Sequence, residues 1–182
     1  GSSLAASEQA VLAFATTNTA SAAAALAWLF FDALMGRKPS ALGACIGAVV
    51  GLVAITPAAG FVTIGQSLFI GTIASVISNL AVSLKSKTTL DDTLDVFPCH
   101  GLGGIVGMIA TGIFAKEVGL IYGTTTTFWS HMLALVIVSA FAFGGSTAIY
   151  YITNLITPLR VSREMEEEGL DISQHGESIQ PE

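Results

Sequence analysis

The sequence predicts an all-α membrane protein, a polytopic bundle of about five transmembrane helices followed by a short polar tail. Of its 182 residues, 52% are hydrophobic and only 11% are charged, whereas a soluble domain carries roughly 25% charged residues to face water. Four long stretches contain no Asp, Glu, Lys or Arg: 9–31, 39–84, 96–115 and 118–159. A membrane span needs about 20 apolar residues, and a soluble helix of that length would carry a charged face. These stretches therefore predict four to six spans.

The first three predicted helices follow from their start and stop signals. The first covers about residues 7–34, with Ser7 and Glu8 as N-terminal signals. It ends at Gly-Arg-Lys-Pro-Ser, residues 36–40, because a glycine, two cations and a proline together favour termination. The second helix covers about 40–55, and the third covers about 66–84.

Two longer segments complete the bundle. A fourth helix is predicted over about 93–114, after the polar loop 85–92. The fifth apolar segment, about 124–156, is long for one span. A hairpin at Gly144-Gly145 would leave only about a dozen residues for its second arm, so one long, tilted or kinked helix is predicted.

Basic residues predict the orientation in the membrane. With five spans, six of the seven Lys and Arg residues fall on one side: Arg37, Lys38, Lys85, Lys87, Arg160 and Arg163. Only Lys116 falls on the other. Positive charge is retained on the cytoplasmic side, so the N-terminal end should lie outside and the C-terminus inside. The predicted domains are a membrane domain, 1–159, and a cytoplasmic tail, 160–182, which holds most of the acidic excess behind the net charge of −6.

Several classes of function are disfavoured. There is no basic cluster of the kind that binds nucleic acid. Cys45 and Cys99 lie in separate apolar runs, which argues against a structural disulfide or a zinc site. The sequence has no nucleophile–histidine arrangement, zinc helix motif or phosphate loop. It predicts neither an enzyme nor a bound cofactor or metal.

Glycines at four-residue spacing are predicted to be structural packing residues. They are Gly43, Gly47 and Gly51 in the second helix, and Gly103 and Gly107 in the fourth. Helices in lipid associate mainly through close backbone approach at small residues, so these glycines indicate a compact bundle.

Polar residues within the apolar runs are the candidates for function. If the fourth helix enters the membrane near Thr93, His100 lies about 10 Å into the bilayer, where an ionisable residue usually faces a cavity or a partner. The alternative is a neutral histidine bonded to a backbone carbonyl. Pro98 removes a backbone donor nearby. Asn18 is interpreted as structural and His131 as interfacial.

Four segments resemble the ammonium transporter/methylammonium permease/Rhesus family. They are 36–43 (GRKPSALG), 51–60 (GLVAITPAAG), 91–107 (DDTLDVFPCHGLGGIVG) and 159–177 (LRVSREMEEEGLDISQHGE). Their order and spacing match across essentially the whole chain, and the last is similar to the ammonium transporter branch. The chain departs from the family pattern at Pro98-Cys99, where Gly-Val is common.

The resemblance implies a fold and a function. The family has eleven helices with inverted five-helix repeats and forms homotrimers with one pore per subunit. This chain would supply helices seven to eleven, as a fragment not expected to conduct alone. The implied function is an ammonium or ammonia channel or transporter, also acting on methylammonium. The alternatives are a non-conducting ammonium sensor or regulatory membrane subunit with the same fold, and a bare packing module.

The resemblance also implies roles for individual residues. His100 resembles the second of the paired pore histidines, and Val96 resembles a hydrophobic pore-lining residue. Ser2 or Ser3 resembles the serine of the external recruitment site. Gly169, Leu170 and Asp171 resemble the core motif of the regulatory tail. In relatives this tail packs under the neighbouring subunit and helps to dock a PII-type nitrogen signal protein.

Overall fold

The structure is a computed structural model that describes residues 3–178. Within these residues it is helical and contains no β-strand, which confirms the all-α class. The α-helices are α1 (Glu8–Leu34), α2 (Ala41–Ile55), α3 (Ile64–Lys85), α4 (Leu102–Phe114), α5 (Thr126–Ile156) and α6 (Arg163–Glu168). Two π-helical turns, Phe97–Gly101 and Asp171–His175, and one 3-10 turn, Leu120–Tyr122, complete the helical segments.

Most of these helices are suited to a bilayer by length and composition. Four segments are long and apolar enough to cross a membrane: Glu8–Leu34, Ile64–Lys85, Phe97–Phe114 and Thr126–Ile156. α2 is also apolar but has only 15 residues, or about 22 Å at 1.5 Å per residue. The described residues thus contain five apolar helices, consistent with the predicted polytopic bundle.

Side-chain caps account for the positions at which the first three helices begin. Ser7 accepts a hydrogen bond from Ala10 N, and Ser40 accepts one from Gly43 N. At α3, Thr63 Oγ1 accepts from Gln66 N at 3.2 Å while Thr63 N donates to Gln66 Oε1 at 2.8 Å. This reciprocal capping box satisfies two backbone donors, and α3 therefore starts at Ile64, two residues before the predicted start.

The chain divides into two compact units, Gly1–Val136 and Ile137–Glu182. In the first unit, α1 packs against both α2 and α3. Ser21 Oγ donates to Ala48 O of α2 at 3.1 Å, and Ser75 Oγ of α3 donates to Ala24 O at 2.7 Å. Small residues on the buried side of α1, such as Ala20, let the helices approach closely.

The second unit consists of the later part of α5 and the tail. α5 runs through Gly144 and Gly145 without a break as far as Ile156. The tail helix α6 is capped by Ser162, whose side chain accepts from Met165 N. The polar tail thus has local helical order.

Candidate functional site

His100 lies in a wide turn at the start of the apolar segment Phe97–Phe114. Residues Phe97–Gly101 form a π-helical turn, in which the N–H of Leu102 bonds to Phe97 O, five residues earlier. Such turns are rare and occur frequently at functional sites. Pro98 falls inside the turn and contributes no N–H. The predicted helix over 93–114 therefore begins about four residues later than expected, with His100 in its first turn.

Asp92 sets the point at which this turn begins. Its carboxylate accepts hydrogen bonds from Val96 N at 2.8 Å and from Phe97 N at 3.0 Å. Partial burial raises the pKa of Asp92, but these two hydrogen bonds and the charge of Lys85 outweigh it and hold the pKa below its ordinary value. The carboxylate thus replaces the helical partners that these two amides lack.

The turn presents its side chains on two different sides. Pro98 and Cys99 are buried, whereas His100 is exposed together with Val96 and Phe97. Within the described residues, the His100 side chain makes no hydrogen bond to a backbone carbonyl, which was the alternative role predicted for it. His100 and Val96, four residues apart, are therefore both exposed at this turn.

Lys85 connects this region to the end of α3. Its Nζ lies 2.6 Å from Asp95 Oδ1, and it also donates a hydrogen bond to the main-chain oxygen of Asp92. Asp95 has a φ of 54°, in the left-handed region that Asp adopts more readily than most residues. A residue in that conformation interrupts a regular helix, which is a second reason for the late start of the span.

A second polar network lies at the ends of α1 and α3. Asn79 is 1% exposed, donates to Asp32 Oδ1 at 3.0 Å and accepts from Arg37. Arg37 also forms an ion pair with Asp32 at 2.9 Å and donates to Ser83 Oγ. Sequence reasoning missed this network. The sequence did contain a signal for this network: Asp32 directly follows the charge-free stretch 9–31, and Arg37 lies five residues later.

The other predicted polar residues occupy simpler surroundings. Ser3 Oγ donates to Ala5 O at 2.8 Å, while Ser2 lies outside the described residues. Asn18 is exposed on α1 and donates to Phe14 O of its own helix at 3.0 Å. His131 is half-buried on α5, and its Nδ1 is buried without a hydrogen-bond partner in the described part of the chain.

The predicted packing glycines lie where helices cross closely. A Cβ on Gly43 would lie 3.1 Å from the Trp28 ring, and one on Gly47 would lie 2.7 Å from Trp28 Cβ. A Cβ on Gly51 would lie 2.5 Å from Ala20 O. All three contacts are with α1.

The two glycines of α4 face α2 in the same way. A Cβ on Gly103 would lie 3.3 Å from Val53 Cγ1, and one on Gly107 would collide with Ala54 O. The second contact is with the main chain, which cannot move aside as the end of a flexible side chain can.

The predicted tail motif forms a turn of its own. Gly169 has a φ of 104°, a conformation that favours glycine. Leu170 is 50% exposed, and Asp171 begins the second π-helical turn. Ser173 Oγ donates to Gly169 O at 2.9 Å and to Met165 O at 3.2 Å, which links this turn to α6.

Comparison with known proteins identifies the chain's relatives. A family model described as Ammonium Transporter Family matches residues 1–179. The chain belongs to the ammonium transporter family. The resemblance noted in the sequence is thereby confirmed.

Several members of the ammonium transporter family are similar over nearly the whole chain. An ammonium transporter of Bacillus subtilis is 43% identical over 185 residues, which cover 97% of this chain and 46% of that protein. The ammonium transporter Amt1 of Archaeoglobus fulgidus is 38% identical over 182 residues, covering 97% of this chain and 46% of its own. The chain thus spans under half the length of these relatives.

Solved structures of the ammonium transporter family share the fold. The crystal structure of Saccharomyces cerevisiae Mep2 superposes with a TM-score of 0.81 at 33% identity, over 87% of this chain and 39% of that one. A protein named Sensor Amt Protein gives a TM-score of 0.84 at 27% identity, over 95% of this chain and 44% of its own. These matches confirm the polytopic helical fold.

Proposed function

We propose that this chain forms part of an ammonium or ammonia channel or transporter, with His100 and Val96 on the wall of its pore. The observation that carries the proposal is the position of His100. It is an ionisable residue in the first turn of an apolar segment long enough to cross a membrane, yet its side chain, like that of Val96, is left exposed by the described part of the chain. Ionisable residues within membrane-spanning segments usually face a pathway or a partner.

The chemistry of an imidazole suits this substrate. Ammonium is costly to dehydrate in an apolar pore, whereas neutral ammonia is not. A neutral imidazole offers one nitrogen as an acceptor and the other as a donor, so it can bond ammonia without supplying a charge. Methylammonium, with the same ammonium group, is expected to follow the same path.

The family resemblance supports further proposals about the assembly. The complete transporter is proposed to be a homotrimer, with Ser2 or Ser3 at an external recruitment site. Gly169, Leu170 and Asp171 are proposed to help dock a PII-type regulatory protein. Orientation follows the basic residues, which would place Lys85 and the tail in the cytoplasm.

A non-conducting ammonium sensor is the second candidate. The specific observation in its favour is the likeness to the Sensor Amt Protein, whose fold this chain shares. A shared fold does not decide between conduction and sensing, and a flux measurement does.

The proposed function is tested by uptake. The complete open reading frame that encodes this chain is expressed in cells deficient in ammonium transport, and methylammonium accumulation is compared with that of cells carrying an empty vector. Clear accumulation above the vector supports a transporter. No accumulation from a well-expressed, membrane-inserted protein would reject the transporter and favour the sensor.

The proposed orientation has its own test. A tag placed after Glu182 should be inaccessible to antibody or protease in intact cells and accessible after the membrane is opened. A tag that is accessible in intact cells would contradict the cytoplasmic tail.

A further inference from the structure

Lys85, the last residue of α3, reaches the loop that leads into the His100 turn. Its ammonium group lies 2.6 Å from Asp95 Oδ1 and donates to the main-chain oxygen of Asp92. The Lys85 and Asp95 side chains are only 18% and 22% exposed, so water screens their attraction less than that of an exposed pair. One ammonium group therefore ties two points of the loop to the end of a packed helix.

Both of these points are one hydrogen bond away from the turn. The Asp92 carboxylate accepts from Val96 N and Phe97 N. The main-chain oxygen of Asp95 accepts from Cys99 N at 3.0 Å, and Cys99 directly precedes His100. A displacement of the loop would thus pass to the main chain that carries the imidazole.

The π-helical turn Phe97–Gly101 has few hydrogen bonds of its own, so the contacts that Lys85 makes with the preceding loop matter for its position. Pro98 supplies no N–H, and a π-helical turn is wider and rarer than an α-helical one. Asp95 is held at a φ of 54°, a conformation uncommon for residues other than glycine. Its ion pair with Lys85 offsets the cost of that conformation.

We propose that Lys85 is a positioning residue for His100. By holding Asp95 and Asp92, it fixes the main chain of the turn and thereby the direction of the imidazole, on which the selectivity of the pore depends. The inference rests on the proposed transport function and extends it to a residue outside the exposed surface that carries His100.

The first test compares charge removal with charge conservation. In the complete open reading frame, Lys85→Met should lower the ratio of methylammonium to potassium uptake about tenfold, because a small misplacement of a functional group is costly. Lys85→Arg should keep the ratio, since it retains the positive charge. The matched control is Lys87→Met, which removes an exposed cation two residues away and should leave the ratio unchanged. An unchanged ratio in Lys85→Met would overturn the proposal.

A double-mutant cycle tests whether the effect passes through His100. In a His100→Ala background, adding Lys85→Met should change the uptake ratio no further. An effect of equal size in both backgrounds would mean that Lys85 acts elsewhere. A wild-type protein that shows no uptake at all would reject the proposed function rather than the positioning role.

Two further experiments keep the proposal testable. One applies if the Lys85→Met protein does not accumulate in the membrane, and the other applies if the protein transports nothing. Asp95→Asn keeps a residue that tolerates left-handed φ but loses the charge, and should lower the ratio of methylammonium to potassium uptake in the same way.

If the protein shows no flux, a thiol probe can be introduced by His100→Cys after replacing Cys45 and Cys99 with alanine. Its alkylation rate by a water-soluble maleimide should change several-fold with Lys85→Met and stay unchanged with Lys87→Met. An equal rate with and without Lys85 would reject the positioning role.

Discussion

At the scale of single residues, Asn79 hydrogen-bonds both members of an ion pair, the Asp32 carboxylate and the Arg37 guanidinium. Its Nδ2 donates to Asp32 Oδ1, and its Oδ1 accepts from Arg37. Asp32 is buried, and a buried charge is costly unless it is paired and hydrogen-bonded. The network therefore stabilises the junction of α1, α3 and the loop after α1.

Replacing Asn79 tests the importance of this network. Asn79→Ala should destabilise the protein by roughly 1–3 kcal/mol, because the buried Asp32 carboxylate loses one of its hydrogen bonds. The measurement is the thermal unfolding midpoint of the detergent-solubilised protein. Thr89→Ala, in the exposed loop after α3, is the control and should have little effect. Equal midpoints for Asn79→Ala and the wild type would contradict the proposed contribution.

Sequence reasoning identified His100 as a candidate residue but missed the Asn79–Asp32 hydrogen bond and the Lys85–Asp95 ion pair. His100 stands out because it is an ionisable residue within a charge-free run. Asn79 and Asp32 are 47 residues apart in sequence, and only the crossing of α1 and α3 brings them together. Lys85 was used to predict orientation, but its pairing with Asp95 depends on a loop conformation that no periodic pattern specifies.

At the scale of helices, Asp92 determines where the apolar segment Phe97–Phe114 begins. The end of the polar loop 85–92 predicted a start near Thr93. The structure instead uses the carboxylate of Asp92 to cap Val96 and Phe97. Local side-chain hydrogen bonds compete with helix extension in this way.

The cap at Asp92 predicts a pH dependence with a defined sign. Because its folded-state pKa is depressed, its stabilisation is fully present above the unfolded pKa of about 3.9 and is lost as the pH falls through the folded value. Asp92→Asn should therefore lower the unfolding midpoint near neutral pH, and the difference from the wild type should shrink below about pH 4. A difference that stays constant down to about pH 3 would contradict this assignment.

The glycine stripe of α2 predicts an intolerance to added volume. A Cβ on Gly51 would lie 2.5 Å from the main-chain oxygen of Ala20, so Gly51→Ala should force α1 and α2 apart at a cost of about 1–3 kcal/mol. The unfolding midpoint of the solubilised protein measures this. Gly65→Ala is the matched control, because nothing lies within 4 Å of its Cβ position. Loss of stability that is equal in both variants would reject close packing as the cause.

At the scale of the whole molecule, the first compact unit has a packed interior and exposes many large apolar side chains. The exposed residues of α1 include Phe14, at 73%, and Phe30, at 66%. Val96 and Phe97 are similarly exposed. A bilayer or further protein segments must cover such a surface, in keeping with a chain that spans under half the length of its relatives.

The overall architecture was predictable because composition and charge-free length are global properties. The lack of charge in four long runs requires lipid or a large apolar partner, and helices are the simplest way to satisfy the backbone there. The π-helical turn at His100 was not predictable, since Pro98 indicates only a disturbance and not its form. The start of the segment Phe97–Phe114 depends on the same local geometry, so it was not predictable either.

If His100 lines the pore of an ammonium or ammonia transporter, as we propose, His100→Ala should impair transport. Methylammonium uptake is measured for the wild-type and variant forms of the complete open reading frame, at matched amounts of protein in the membrane. We expect His100→Ala to reduce uptake or to lose selectivity against potassium, because the pore would lack a polar group that bonds ammonia. Uptake and selectivity equal to those of an active wild type would contradict a pore built around His100.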